Sequence, residues 1–389
     1  MKRITIIKST LSAFEVKLAK SLKKQGYIVN SITLYQPNRD QEKIFDDTFY
    51  LLKRDLVYKK NFIDKIRKLF LLSMNLFRNF LCFKKIKNSI AIGVAGQNWF
   101  VTLFFVILNR RFRRRIYFPY DIAYFRYNNY KIYPIYERLG EKYNFKNCDG
   151  IIHKGPEDEL NYLPKDFQAT RRPALQFLPY CDEESFIPID DKFFDRKLSK
   201  KDGKIHLVYV GGVYHNHPPH FDTIEMFKEI VDQKFVLHVY ATNFEELKEE
   251  KEYKKLEETG LFYLHEPIYN EKLQREISKY DWGIYIFFTN FEKFKKIWAK
   301  TAYGNKISTY LEAGLPIICN SELEFVSHVV KSNGFGIVVE NPSDIKKEIE
   351  KVDYRKLVYN LDKGRKNFTI EKNIGKLKKF LDPEVGSSE

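Results

Sequence analysis

At 389 residues the chain is longer than one ordinary domain, and a hydrophobic fraction of 44% suffices for two cores. No run approaches the roughly 18 apolar residues that cross a bilayer; Cys82, Cys148, Cys181 and Cys319 form no Cys-x-x-Cys pair, so free thiols in a reducing, cytosolic compartment are expected. The formal net charge of +16 calls for an anionic partner or an explanation.

In chain order, Met1-Lys-Arg-Ile-Thr-Ile-Ile lacks the apolar core of a signal peptide and predicts a first strand over 3–8. A helix over 11–24 ending near Gly26 and a strand over 28–34 follow. Between Tyr58 and Lys87 the apolar Phe62, Ile66, Leu69, Phe70, Phe77, Phe80 and Leu81 recur at helical spacing, with lysines and arginines on the other side. Such a helix suits the headgroup layer of an anionic membrane, with Lys65, Arg67 and Lys68, joined by Arg113 and Arg114, as its contacts. A core-facing helix with a solvated basic face is the alternative. Nucleic acid is not expected as a partner, because the chain has no Cys₂His₂ spacing, RNP-type aromatic motif or helix-turn-helix.

Further strands are predicted at 89–95, 115–118 and 149–153, and the polar stretch 182–203 with its isolated Pro188 reads as a linker. A second series then starts with a strand over 204–210 ending in Gly211-Gly212. It continues with a helix near 222–231, strands at 235–240, 261–264, 281–288 and 336–339, and a lysine-rich helical tail from Ile345. Two alternating α/β series predict two Rossmann-like domains facing each other across a cleft. The expected parts are a domain over 1–180, a linker over 181–203, a domain over 204–360, and a C-terminal helix within 361–389 packing back toward the first domain.

The run Tyr303-Gly-Asn-Lys-Ile-Ser-Thr-Tyr-Leu-Glu-Ala-Gly-Leu-Pro-Ile-Ile-Cys319 is the most informative stretch. Asn305 reads as an N-cap, Gly314 as the left-handed residue that ends a helix, and Pro316 forbids its continuation. A loop leaving a strand for a helix N-terminus gathers N–H donors at the positive end of the dipole, which suits a diphosphate. Lys306 adds a full charge there, and Tyr310 lies one turn further on the same face. A plain crossover in a doubly wound fold is the competing explanation.

With these residues in view, the chain resembles glycosyltransferases of the GT-B fold. Lys306-Ile-Ser-Thr-Tyr-Leu-Glu-Ala-Gly-Leu-Pro316 is similar to the Lys-Leu-Ser-x-Tyr-Leu-x-x-Gly-x-Pro pattern of the bacterial galactofuranosyltransferase and glucosyltransferase-3-like group. Ser332-Asn-Gly-Phe-Gly-Ile-Val-Val339 matches the turn and strand that follow. Phe177-Leu-Pro-Tyr-Cys-Asp-Glu-Glu-Ser-Phe186 is similar to the junction between the two domains. The two glutamates of the large retaining branch, eight positions apart, are Thr301 and Thr309 here. Glu312 is close but off register, and the ribose-binding role is not carried onto it.

The resemblance implies a nucleotide-sugar donor, most naturally a UDP-sugar, bound mainly by the second domain. Gly211 and Gly212 would admit the diphosphate to the backbone, and Lys306 would neutralise it as a leaving group. Ser308 and Thr309 would add N–H and hydroxyl contacts, and Tyr240 and His265 stand where this fold meets base or ribose. Asp121, in Tyr117-Phe-Pro-Tyr-Asp121, is the best placed base for the acceptor hydroxyl. An N-cap or an ion pair with Arg126 is its alternative role, and His153 is a weaker base. The Lys8-Ser-Thr10 loop lacks glycines, and Ser9 or Thr10 would cap the helix after it. His215, His217 and His220 sit in a proline-broken loop without an acid ligand, so neither a metal nor another cofactor is expected.

The activity so implied is sugar transfer to a glycan or lipid-linked acceptor in surface polysaccharide or glycan synthesis, on the inner face of the cell membrane. A catalytically silent GT-B subunit acting as partner or scaffold of another transferase is the alternative; a homodimer or a partner transferase is the candidate assembly. An epimerase on the same scaffold would need a tighter carboxylate and histidine constellation around the sugar.

Overall fold

A computed structural model of the chain describes residues 2–53, 70–79, 83–213, 223–268, 272–287 and 295–383. The chain divides into two compact units: unit 1 is Met1–Leu178 with Ile374–Glu389, and unit 2 is Pro179–Asn373.

Unit 1 is built on a seven-stranded sheet of order β3-β2-β1-β4-β5-β6-β7. Its strands are β1 (Arg3–Lys8), β2 (Ile28–Tyr35), β3 (Thr48–Leu52), β4 (Ser89–Val94), β5 (Phe112–Phe118), β6 (Gly150–His153) and β7 (Ala174–Gln176). Every pairing is parallel, and the central strands bury both faces, which is why β1 and β4 are predominantly apolar between their end residues. β3 and β7 are not among the strands expected from sequence. β7 has three residues, too few to show an alternation, and β3 is an edge strand.

Helix Ala13–Lys24 packs its Phe14, Leu18 and Leu22 into the core. Ser12, not Ser9 or Thr10, is its N-cap: Glu15 accepts from the Ser12 N–H at 2.7 Å and its hydroxyl at 2.6 Å. Helix Asn98–Ile107 presses so closely on β4 that a Cβ at Gly93 would stand 2.4 Å from Val101 Cγ1.

The end of the chain completes unit 1, and it corrects the reading of two arginines. Arg114 donates to the carbonyls of Phe380 and Leu381 at 2.7 and 2.9 Å, satisfying the open end of helix Ile370–Leu381. Arg113 pairs with Asp382 at 3.3 Å. Both are clamps on the C-terminal helix rather than free contacts for a membrane.

Unit 2 carries a six-stranded parallel sheet of order β10-β9-β8-β11-β12-β13. The strands are β8 (His206–Gly211), β9 (Val236–Ala241), β10 (Phe262–His265), β11 (Trp282–Tyr285), β12 (Ile317–Asn320) and β13 (Gly336–Val339). Both units are doubly wound α/β, and in each the strand order reverses beside its first strand. That leaves a crevice at the carboxyl ends of β1 and β4, and another at β8 and β11.

The stretch 181–203, polar enough to read as a linker, is folded onto unit 2. Phe193 and Phe194 are buried, and Lys197 donates to the carbonyls of Ser278 and Tyr280 at 2.9 and 2.6 Å. The buried Arg365 holds the same segment by donating to Ile187 and Leu311 carbonyls, both at 2.8 Å. No helix among the described residues is long and apolar enough to cross a membrane. Cys148, Cys181 and Cys319 are buried free thiols, and Cys82 lies outside the described residues.

Candidate active site

In unit 2, β8 and β11 pair only at Trp282 with Leu207 and Gly283 with Val208. Beyond that point Tyr310 fills the opening. Its hydroxyl accepts from the Val210 N–H at 3.2 Å and donates to the Ile284 carbonyl at 2.9 Å. Gly283 makes room for the ring, since a Cβ there would lie 2.5 Å from Tyr310 Cγ. Tyr310, expected to face the donor, is therefore a buried strut whose polar atom is committed to the two strands.

Lys306 lies over the same switch point. Its residue is only half-buried, yet its Nζ is closed off from solvent and has no hydrogen-bond partner among the described residues. The ammonium stands 3.5 Å from the centre of the Tyr209 ring and 4.7 Å from that of Phe287. Burial, with no carboxylate among the described residues to offset it, drives its pKa well below the ordinary lysine range. Lys306 also meets the glycine turn: an added Cβ at Gly211 would be 2.9 Å from its Cε.

That turn is held from three sides. Tyr209 donates to the Gly212 carbonyl at 2.9 Å, and the Thr242 N–H donates to Gly211 at 3.1 Å. The Asn243 amide accepts from the Val213 N–H at 3.1 Å and donates to its carbonyl at 2.8 Å. Asn320 grips Phe287 in the same two-way manner, at 3.2 and 2.8 Å. Neither asparagine was singled out from sequence, because their roles depend on loops distant in the chain.

Gly211, Gly212 and Lys306 are thus brought together. Ser308 and Thr309 behave differently: their hydroxyls donate to the Asn305 carbonyl at 2.9 and 3.1 Å. Asn305 has helical backbone angles and makes no side-chain cap bond, so it does not cap helix Lys306–Glu312 as expected. Thr301 likewise donates back, to Ile297, at 3.0 Å. Glu312 is fully buried, accepting from the Asp182 N–H at 2.8 Å and the Gln274 amide at 2.7 Å. It anchors the segment after the domain junction.

Tyr240 and His265, at the ends of β9 and β10, stack with ring centres 4.6 Å apart and planes 16° from parallel. The Tyr240 hydroxyl donates to Glu276 at 2.7 Å and meets that of Tyr280 at 2.8 Å.

In unit 1, Asp121 follows β5, and its side chain is 59% exposed. Crowding at its loop opposes ionisation, but Lys154 at 2.8 Å, with Arg126 and Lys8 beyond, outweighs it and holds the carboxyl below its usual range. Tyr120 sits between the ammonium groups of Lys154 and Lys8, 4.1 and 5.0 Å from its ring centre. His153 is spent on Glu159, 3.1 Å away.

The loop after Asp121 is pinned by the buried Glu141, which accepts from the Ala123 and Tyr124 N–H groups at 2.6 and 3.2 Å and from the Tyr130 hydroxyl at 2.7 Å. Burial raises its pKa to about 7 despite those bonds. The native state therefore holds the proton more tightly than the unfolded chain, and the stability this gives unit 1 is lost as pH rises from about 4.5 through about 7. Glu141→Gln should flatten that part of the denaturation midpoint against pH; an unchanged slope would assign it to other groups.

Lys65, Arg67 and Lys68 lie outside the described residues, as do His215, His217 and His220. The described helix at 70–79 is bound to β3 through its polar face: Asn75 and Asn79 donate to the carbonyls of Leu51 and Tyr50 at 2.7 and 3.0 Å. Its apolar Phe70, Met74 and Phe77, one face at i, i+4 and i+7, are 67%, 48% and 77% exposed. Among the described residues no cluster of three or more His, Cys, Asp or Glu is arranged to hold a metal ion.

Residues 215–370 match the family model for the C-terminal domain of glucosyltransferase 3-like proteins. No curated protein sequence matches the chain. Its fold is similar to sucrose-phosphate synthase from Thermosynechococcus elongatus, with a TM-score of 0.65 at 14% identity over 98% of this chain and 99% of that one. The Anabaena protein HepE, solved with UDP, aligns with a TM-score of 0.63 at 11% identity over 98% and 100% of the two chains. WaaG, a glycosyltransferase involved in lipopolysaccharide biosynthesis, aligns with a TM-score of 0.60 at 13% identity, again over 98% and 100%. At these identities the similarity establishes fold. The chain has the GT-B glycosyltransferase fold, and its residues 215–370 match the model for the C-terminal domain of glucosyltransferase 3-like proteins.

Proposed function

We propose that the protein transfers a sugar from a UDP-sugar to a glycan or lipid-linked acceptor at a membrane surface. The observation that carries this reading is Lys306, a buried amine with no hydrogen-bond partner among the described residues, aimed at a glycine turn where β8 and β11 part. A cation so placed lacks only an anion. A diphosphate would supply two charges, and as the glycosidic bond breaks Lys306 would stabilise the charge gathering on the leaving oxygen, the task a metal performs elsewhere. Gly211 and Gly212 would bring backbone close to the phosphates, and Tyr240 with His265 would take the nucleoside. Asp121, kept ionised beside Lys154, would receive the proton of the acceptor hydroxyl.

UDP in the HepE structure supports the choice of nucleotide. The exposed Phe70, Met74 and Phe77, with Arg78 beside them, support a membrane-facing surface on unit 1. Thr301 and Thr309 in place of a glutamate pair keep a second reading open, a subunit that binds nucleotide without turnover.

Calorimetry with UDP, GDP and inorganic diphosphate, followed by a sugar-release assay on a panel of UDP-sugars with and without Asp121→Asn, separates these. Selective UDP binding with turnover that Asp121→Asn lowers by roughly 100-fold supports the transferase. Binding without turnover favours the silent subunit, and absence of nucleotide binding overturns the donor site.

A further inference from the structure

Three histidines on adjacent strands of unit 2 form a continuous hydrogen-bonded line. His206 opens β8, His238 lies within β9 and His265 ends β10. In register His238 lies opposite Val208 and His265 opposite Tyr240, so each histidine is two residues further along than the last, and all share one face. His206 Nδ1 is 3.0 Å from His238 Nε2, and His238 Nδ1 is 3.0 Å from His265 Nε2. The planes of neighbouring rings lie within 22° and 16° of each other. At the far end both oxygens of Asp202 lie 3.1 to 3.2 Å from His206 Nε2.

A neutral imidazole has one donor and one acceptor, so such a line has two self-consistent proton arrangements, and its ends decide between them. Asp202 is ionised, held low by the Lys204 N–H and then by His206, and a carboxylate only accepts. It therefore requires a proton on His206 Nε2. In a neutral line His206 Nδ1 then accepts from His238 Nε2, and His238 Nδ1 from His265 Nε2. Burial first, then the neighbouring histidines, pushes His238 down to about 3, and burial lowers His265 too, so these two rings stay neutral near pH 7. The rings cannot turn freely: Tyr280 and Tyr263 stack on His238 at 4.3 and 5.0 Å, and Tyr240 stacks on His265.

We propose that Asp202 acts through His206 and His238 to hold the proton of His265 on Nε2, so that its Nδ1 is presented at the end of β10 as a hydrogen-bond acceptor for a nucleoside N–H or hydroxyl. Asp202, His206 and His238 are then positioning residues that touch no ligand, and His265 sets specificity. The ligand half of this inference rests on unit 2 being the donor half.

Long-range proton–nitrogen correlation spectra of the full chain labelled with ¹⁵N-histidine, near pH 7.5, test the relay directly. The expected result is a neutral His265 protonated at Nε2 in the wild type and a mixture of tautomers in Asp202→Ala, a change made three side chains away at a half-exposed site. A proton on Nδ1 in the wild type, or a His265 pattern that ignores Asp202→Ala, overturns it. Calorimetry tests the ligand half. His265→Phe keeps the stack on Tyr240 but removes the acceptor, and UDP binding should weaken about fivefold, the worth of one hydrogen bond. If CDP, which lacks the base imide N–H, is insensitive to His265→Phe, the partner is the base; if 2′-deoxy-UDP is insensitive, it is the ribose. Unchanged UDP affinity in His265→Phe overturns the acceptor role. If the wild type binds no nucleotide, the ligand half falls with the donor reading, while the spectra still decide the relay.

Discussion

Replacing Lys306 with methionine is expected to stabilise unit 2 and at the same time to weaken UDP binding at least tenfold. Two opposite effects follow from one fact, that the Nζ is buried with no hydrogen-bond partner among the described residues. In the absence of ligand the protein bears the desolvation of an amine that two aromatic faces compensate only in part. Methionine keeps the volume and the contact with Tyr209 and removes the polar atom, a gain on the order of 1–3 kcal/mol. With diphosphate bound the balance reverses, because the charge then has its partner.

The pH dependence has a definite sign. The folded-state pKa of Lys306 lies below that of an unfolded lysine, so over the intervening range the unfolded chain binds the extra proton. Stability then rises with pH toward the ordinary lysine range. Lys197, buried and pushed down to about 7, contributes with the same sign. Lys306→Met should therefore reduce the slope without abolishing it. At pH values where the free-state amine is neutral, UDP binding should be accompanied by proton uptake, visible as a dependence of the calorimetric heat on the buffer, and should weaken as pH rises. A destabilised Lys306→Met protein with wild-type UDP affinity would mean that the lysine is a packing residue.

Gly211→Ala is expected to act on the same site from the opposite wall. Gly211 has φ +117°, a region that L side chains rarely adopt, and the new Cβ would meet Lys306 Cε at 2.9 Å. Backbone strain of this kind costs roughly 1–3 kcal/mol, and the lysine must move away from the turn to relieve the contact. Denaturant midpoints should fall and UDP affinity should drop about tenfold. In the double variant with Lys306→Met the binding losses should not add, since both act through the position of one ammonium. Full additivity would show that Gly211 and Lys306 serve separate functions.

Much of this architecture was legible in the amino-acid sequence. Isoleucine-rich segments such as Arg3–Lys8 and Ser89–Val94 carry few polar residues between their ends because their strands are buried on both faces, and their alternation with helices implies doubly wound sheets. Lys306, the Gly211-Gly212 turn and the helix-ending Gly314 with φ +72° follow from local rules of chain geometry. Those rules act over a few residues, so a single sequence carries them.

Tertiary structure decided which of those groups are available for chemistry. Helical spacing sets Tyr310 one turn from Lys306, but only the divergence of β8 from β11 leaves a Val210 N–H and an Ile284 carbonyl for its hydroxyl to bridge. Arg114 reads as a free cation until the last turn of helix Ile370–Leu381 offers it carbonyls. His206, His238 and His265 are isolated in sequence and become one hydrogen-bonded line only through the register of three parallel strands. A residue's type states what it can bond to; which partner reaches it first is settled by elements tens to hundreds of positions away, and no local pattern contains that information.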